Sequence, residues 1–380
     1  MRSYPLTAGR LLGTFEPAAA DDEVRAPMFG QRLGAVAARV RQWEFWPPWL
    51  FYLPLVPWIV WLAFRHRGLT TITAANPGIP HGGFVGESKY DIVQRLPPQW
   101  VVSSARLPAG GVDERMRLLS AAMERGGWGY PIVLKPDAGE RGAGVRLIGG
   151  PVDAREYLIR NRYSVLAQAY HPGPFEAGIL YCRMPGGERG RIFSLTEKHF
   201  PSIVGDGRST IRALILRHRR YRMQAGVFLA RLRERAAEVP PRGRPVCLAV
   251  AGNHCQGTMF RDGAHLITPA LEARVDEIAR SFDGFFFGRF DVRYGDAEAL
   301  RAGRGFAIVE LNGATSESTN IYDPDWPLSR AYRVLGAQWA ILFQIGDANR
   351  RRGCPVTPLP GLVRAVRDYY RGRMVDSLSD

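Results

Sequence analysis

Lys135 closes a short apolar, β-branched run, Pro131 to Leu134, and glycines follow at 139, 142, 144 and 149 around a second run, Val145 to Ile148. Strand, lysine, glycine-rich turn and strand make a hairpin whose tip can fold over a polyphosphate. Glycine lets backbone N–H groups approach the oxygens, and the ammonium adds a point charge. An ordinary glycine-rich hairpin has the same pattern. Two later segments carry acids. In GFFFGRFDVRYG, residues 284 to 295, Arg289, Asp291 and Arg293 alternate with Phe290 and Val292. In FAIVELNG, residues 306 to 313, Glu310 and Asn312 stand two apart. In strands, each set shares one face. Asp, Glu and Asn are hard oxygen donors, suited to one or two Mg²⁺ (or Mn²⁺) ions that hold a triphosphate. Arg289 beside them suits a terminal phosphate or a developing anion. Salt bridges between half-buried strands are the other reading, but charges in such apolar strands are costly unless paired or used.

The hairpin is not a Walker loop, whose lysine follows the glycines and opens a helix, and no βαβ unit surrounds it as in a dinucleotide fold. The chain of 380 residues carries 51 Lys+Arg against 36 Asp+Glu, a net charge of +15, which favours anionic partners. Only three of those bases are lysine, at 89, 135 and 198. In an arginine-biased chain the surviving lysines mark places where a compact ammonium is not replaceable by a planar guanidinium. Four cysteines without a C-x-x-C pair give no zinc site and no disulfide framework, so a reducing, cytoplasmic setting is expected. His254 and Cys255 are adjacent but lack further ligands at metal-binding spacing.

Residues 1–42 read as a loose tail with a short helix near 30–41 and no cleavable signal pattern. Residues 43–67 are a Trp/Pro-rich hydrophobic segment. From Trp46 to Phe64 no residue is charged, tryptophans stand at 43, 46, 49, 58 and 61, and prolines stand at 47, 48, 54 and 57. The segment fits an interfacial or re-entrant membrane contact, a flap packed on the core, or a span; the prolines oppose a regular helix. A lead-in, 68–125, contains a short strand at Ile72 and a helix over 88–96. Ser88 is its N-cap and Lys89 lies in its first turn, where a cation opposes the helix dipole and so suits a ligand better than stability. Helices are expected over 113–125, 152–160 and 269–282, and strands over 164–170, 176–184, 191–198 and 246–251. Between 208 and 244 there are eleven arginines and two acids, a net +9. This is either a solvated helical pair or a lid for an anionic ligand or surface.

The order PIVLKP…GAGV, AQAYHPGPFE, EKHF, GDGRSTI, GRFDVR and VELNG resembles the ATP-grasp superfamily, near its carboxylate–amine ligases such as D-alanine–D-alanine ligase and the ATP-grasp part of cyanophycin synthetase. The resemblance implies an α+β, ATP-grasp fold with two α/β subdomains gripping ATP over 126–345, with 208–244 as lid-like helices and 346–380 as a basic tail. It implies that Lys135 contacts the α-phosphate and that Gly142, Ala143, Gly144 and Val145 form a phosphate-covering loop. Lys89 stands where such ligases carry an earlier nucleotide-contacting lysine. Gln168, Ala169 and Tyr170 resemble the adenine hinge. Glu176 would bind the ribose, with His171 a competitor, and Lys198 would reach the β/γ-phosphates. Asp291, Glu310 and Asn312 match magnesium ligands, and Arg289 matches the arginine that steadies the transferring phosphate. The N-terminal substrate domain of such ligases is truncated or replaced here. The chemistry implied is ADP-forming ligation of a small carboxylate to an amine or thiol through an acyl phosphate. A hydroxyl phosphotransferase and a membrane-associated ATP-binding protein without turnover are the alternatives. A membrane surface is an expected partner, through 43–67 and 208–244 at the inner membrane face. Nucleic acid is not, because the arginine-rich segment lacks interleaved aromatics apart from Tyr221 and Phe228.

Overall fold

A computed structural model describes residues 43, 46–138, 144–249 and 257–378, with side chains to 369. The expected tail helix at 30–41, His254 and Cys255 lie outside the described residues. The hydrophobic segment opens the described chain. Its prolines break it into α1 (Pro48–Tyr52), a 3₁₀ turn (Leu53–Leu55) and α2 (Val56–Arg65). Ile72, expected on a strand, sits instead in a 3₁₀ helix, Leu69–Ala74. This backbone presses on a later helix at Gly346, where a Cβ would meet the Thr71 carbonyl oxygen at 2.3 Å. Tertiary packing thus overrides the β preference of the Thr/Ile run.

The helix α3 (Lys89–Val93) follows, capped by the Ser88 hydroxyl, which accepts from the Asp91 N–H. A four-stranded antiparallel sheet then forms from β1 (Ser104–Leu107), β2 (Ile132–Pro136), β3 (Arg146–Ile148) and β4 (Val165–Ala169), in the order β1-β4-β2-β3. The helices α4 (Val112–Gly126) and α5 (Pro151–Arg160) cover one face. Leu119, Ile132, Leu134, Leu158 and Val165 are buried between them, each such side chain stabilising by roughly 1.5–3 kcal/mol. Arg115 is buried with them, where its guanidinium donates to the carbonyls of Leu158, Asn161 and Tyr163.

The second sheet has five antiparallel strands. β5 (Phe175–Cys182) and β6 (Arg191–His199) begin it. The chain then leaves to build β7 (Ser202–Val204), α6 (Ile211–Arg217), α7 (Ala225–Leu232) and β8 (Pro245–Cys247). The arginine-rich segment is therefore more than a solvated pair: Ile203, Ile211, Ile215, Phe228 and Leu248 bury a core of their own. The strand expected over 246–251 ends at Cys247, and residues from 250 lie outside the described part. The sheet resumes with β9 (Met259–Asp262), then α8 (Pro269–Ser281), β10 (Phe287–Tyr294), α9 (Ala297–Arg301) and β11 (Phe306–Asn312). Its order is β11-β10-β5-β6-β9. Leu271, Val275 and Ile278 of α8 pack on Ile179, Phe290 and Val292.

The helix α10 (Leu328–Arg351) closes the other side, with Ala331, Leu335, Leu342 and Ile345 buried at helical spacing. It runs through the expected start of a basic tail at 346. Asp347 and Asn349 are buried, and Asn349 donates to the carbonyls of Ala74 and Ala75. The reason is that the buried face of the helix runs past that boundary through Gly346, Asp347 and Asn349, with the bases of Arg350 and Arg351 in the last turn, where the helix dipole favours them. A last helix, α11, spans Leu359–Leu378.

Candidate active-site cleft

The two sheets meet along β11. Lys135 Nζ donates to the Val309 carbonyl at 3.3 Å, Gln168 Nε2 donates to the same oxygen at 3.1 Å, and the Val102 N–H donates to Ile308 O. Between them lies a cleft of about 1010 Å³. Every sequence-predicted site residue that the structure describes lines it, with the exception of Gly144: Lys89, Lys135, Val145, Gln168, Ala169 and Tyr170 on one side, and His171, Glu176, Lys198, Arg289, Asp291, Glu310 and Asn312 on the other. Gly144 stands behind, at φ +71°, with its carbonyl accepting from the Tyr157 hydroxyl at 2.6 Å; a Cβ there would meet Pro136 at 2.9 Å. Gly142 and Ala143 lie outside the described residues.

The acids are placed by strand register. Asp291 on β10 stands opposite Glu310 on β11, and Arg289 stands opposite Asn312. On its other side Asp291 pairs with Gly178, so no side chain from β5 crowds it. Glu176 and Lys198 face one another across β5 and β6. The result is an alternating lattice. Arg289 grips Asp291 with two nitrogens, Nε to Oδ1 at 2.8 Å and Nη2 to Oδ2 at 3.3 Å. Lys198 Nζ lies 3.2 Å from Asp291 Oδ2 and 2.9 Å from Glu176 Oε1. Arg293 Nε lies 3.4 Å from Glu176 Oε2, and Lys89 Nζ lies 2.6 Å from Glu310 Oε1.

This lattice fixes the charge states. Burial pushes Asp291 up, but Arg289 and Lys198 outweigh it and hold the carboxyl down to about 2. Burial also pushes Glu310 up, and Lys89 and Lys135 bring it below its ordinary value. Burial lowers Lys198, yet Asp291 and Glu176 prevail and its pKa is raised. Lys135 differs. Among the described residues its ammonium bonds to the Gln168 amide oxygen, at 3.1 Å, and to a backbone carbonyl, and burial outweighs the attraction of Glu310 and lowers it to about 8. His171 is kept low by burial and then by Arg293, while its Nδ1 accepts from the Gly173 N–H.

Among the described residues no group of three or more His, Cys, Asp or Glu is arranged to hold a metal ion. The donors present are two ionised carboxylates on facing positions and one amide. That set fits an ion of the Mg²⁺ type, which is ordinarily held by one or two carboxylates with substrate phosphates completing its shell.

Several residues of the cleft were not assigned from the sequence. Arg293 holds Glu176 and the His171 carbonyl, with its guanidinium 5.4 Å from the Tyr170 ring and 5.5 Å from that of Phe200. Its signal was its two-residue step from Asp291. Asp137 accepts from the Ser88 hydroxyl and the Tyr90 N–H, fastening α3, and with it Lys89, to the end of β2. Glu317 accepts from the Tyr52 hydroxyl, and its backbone carbonyl accepts from Arg289. Trp43, Trp46 and Phe51 from the hydrophobic segment also line this end. The link from Tyr52 to Glu317 had no sequence signal, because the partners are 265 residues apart.

No family model and no curated protein matches this chain. Three solved structures to which it is similar are a bifunctional glutathione synthetase from Pasteurella multocida, the D-cycloserine synthetase DcsG and a D-alanine–D-alanine ligase from Bacillus anthracis. Their identities are 13%, 14% and 12%, with TM-scores of 0.35, 0.36 and 0.36. The matches cover 68%, 66% and 70% of this chain, and 38%, 68% and 67% of the respective structures. The chain thus spans well under half of the glutathione synthetase.

Proposed function

We propose that this protein is an ATP-grasp ligase that activates a small carboxylate with ATP and joins it to an amine, releasing ADP and phosphate. The observation that carries the reading is the convergence of all three lysines of the chain, Lys89, Lys135 and Lys198, on one cleft with two ionised carboxylates and Arg289. A polyanion held between a lysine-bearing glycine hairpin and a strand pair of hard oxygen donors is the chemistry this arrangement suits best.

In this reading Lys135 contacts the nucleotide phosphates as a buried point charge. Gln168, which already bonds its ammonium, sets its position, and the edge of β4 at Ala169 and Tyr170 faces the base. Lys198, held by Glu176 and Asp291, faces the terminal phosphates. Asp291, Glu310 and Asn312 would hold Mg²⁺, which supplies charge neutralisation to the phosphates. The carboxylate oxygen of the substrate attacks the γ-phosphorus, the bond to ADP breaks, and an acyl phosphate results. Arg289 stabilises the charge on the transferring group, having two nitrogens already fixed on Asp291 so that little reorganisation is needed. The amine then attacks the acyl carbon and phosphate leaves, with the amine proton passing to phosphate or solvent. No side chain acts as nucleophile; positioning and exclusion of water do the work. Glu317, which accepts from the Tyr52 hydroxyl, lines the cleft together with Tyr322, Trp43 and Trp46, and a carboxylate and aromatics in one cleft support an ammonium-bearing acceptor.

The test is phosphate release from Mg-ATP by purified protein against pooled carboxylates and amines, with product masses recorded. The reading expects carboxylate-dependent release with an amide mass. A phosphorylated product without free phosphate would replace the ligase with a phosphotransferase.

A further inference from the structure

The hydrophobic segment has two faces of opposite fate. Phe51, Leu55 and Leu62 are turned inward, against Leu335 and Leu342 of α10 and their neighbours. The body fastens this face with directed bonds. Tyr332 Oη donates to the Phe51 carbonyl at 2.9 Å, and Trp58 Nε1 donates to the Gly336 carbonyl at 3.0 Å. At the helix end, His66 Nδ1 stands 3.4 Å from Asp347. The outward face is left to solvent: Trp49 is 70% exposed, Leu53 57%, Val60 58%, Trp61 48% and Phe64 87%. Only 22% of the apolar window Pro48–Arg65 is buried. A run of large exposed apolar side chains on one helix face marks an interaction site rather than ordinary surface.

The charge and chemistry of the patch select its occupant. No acid occurs from Trp46 to Phe64, and exposed Arg65 and Arg67 follow at once. Arg333 is exposed one turn before Gly336, the residue that receives Trp58. The nearby carboxylate of Asp347 is already held by Arg350 and Arg351. The C-terminal helix packs against Leu69–Ala74 and adds exposed Leu359 and Val363 beside Arg364 and Arg367. Two-ring aromatics, one of them stacked on its neighbour (Trp58 and Trp61, 4.8 Å), in a segment without acids from Trp46 to Arg67 that ends in arginines, match the headgroup zone of an anionic bilayer. A second copy of the chain would meet this patch with the same arginines, and Asp368 beside them is already paired with Arg367. A span is disfavoured by the prolines and by the inner face, whose withdrawal would expose the apolar stripe of α10.

We propose that residues 48–67 form a monotopic docking surface for an anionic lipid bilayer, lying flat in the interface with Trp49, Leu53, Val60, Trp61 and Phe64 inserted and Arg65 and Arg67 on the headgroups. Trp46, Pro48, Phe51 and Tyr52 of the same segment line the cleft, so docking sets the mouth of the cleft beside the lipid surface. The proposal stands independently of the reaction catalysed.

The test is flotation of the full chain with vesicles of phosphatidylcholine, alone or mixed with phosphatidylglycerol. Wild type should float with the mixed vesicles, and less in high salt. W61E/F64E, at exposed positions of which Trp61 gives up its stack on Trp58, should lower partitioning by roughly tenfold or more, and R65E/R67E should remove the preference for anionic lipid. Unchanged thermal melting of both variants excludes misfolding as the cause. Absence of wild-type flotation, or flotation unaltered by W61E/F64E, overturns the proposal. So does a wild-type dimer that W61E/F64E dissociates without any vesicle binding, since the patch would then serve a second copy.

Discussion

Two buried lysines face the same cleft from opposite sheets and live under opposite electrostatics. Lys198, on the five-stranded sheet, sits between Asp291 and Glu176 and is raised above its ordinary value, although burial acts against it. Lys135, on the four-stranded sheet, is bonded to an amide oxygen and a carbonyl, and burial outweighs the pull of Glu310 so that it falls to about 8. The difference teaches how a phosphate site can be built. One side is internally neutralised and rigid, and its charges support the fold. The other side holds a desolvated cation bonded to neutral oxygens, with Glu310 acting at longer range, and that charge is maintained at the expense of stability.

The sharpest way to break this comparison is to neutralise one member on each side. Asp291→Asn removes the carboxylate that Arg289 grips and leaves Lys198 with Glu176, and should destabilise the fold by about 3–5 kcal/mol in urea titrations at neutral pH. The folded Asp291 carboxyl is depressed to about 2, so its contribution is present above the ordinary value near 3.8 and is lost as pH falls through 2. The gap between wild type and Asp291→Asn should therefore close over that acid window. Lys135→Met should do the reverse, raising unliganded stability by up to about 3 kcal/mol, because each unit of pKa depression reports about 1.4 kcal/mol. Its sign follows from a lysine whose folded value lies below the unfolded one. The penalty is full below pH 8 and is relieved as pH rises from about 8 towards 10.5, so the stability difference between Lys135→Met and wild type should shrink over that range.

A smaller effect concerns the ligand. On the proposed function ATP meets the charged form of Lys135, so affinity of the wild type should weaken above about pH 8, by no more than tenfold per pH unit. The smallest is a control far from the cleft. Thr268 caps α8 by accepting from the Leu271 N–H at 3.1 Å, and Thr268→Ala should lower stability by about 1 kcal/mol without changing nucleotide affinity. A change in affinity there would mean that the cleft senses global stability, and that the contrast between the two lysines is less local than described.

Much of the cleft was legible in the sequence because its residues break local rules. Asp291 and Glu310 interrupt apolar strands, Lys135 closes one, and lysine is scarce throughout the chain. The α+β organisation was legible from strand and helix periodicity. What could not be read is pairing. That Glu176 serves Lys198 and Arg293 depends on the register of β5 with β6 and β10. That Tyr52 reaches Glu317 depends on a flap folding back across the whole chain. Ile72 misled because a β-branched run was read by propensity, whereas close contact with Gly346 of α10 decided its conformation. The boundary at 346 misled because the residues that carry the helix onward are polar: Asp347 and Asn349 are buried through their bonds to His66, Ala74 and Ala75 rather than through an apolar pattern.

The most direct test of the central claim is calorimetric titration of a non-hydrolysable ATP analogue with Mg²⁺ into wild type and Lys135→Met. The account predicts single-site binding by wild type and its loss in Lys135→Met, whose unliganded melting temperature is unchanged or higher. Absence of binding by wild type, or equal affinity in the folded variant, would contradict it.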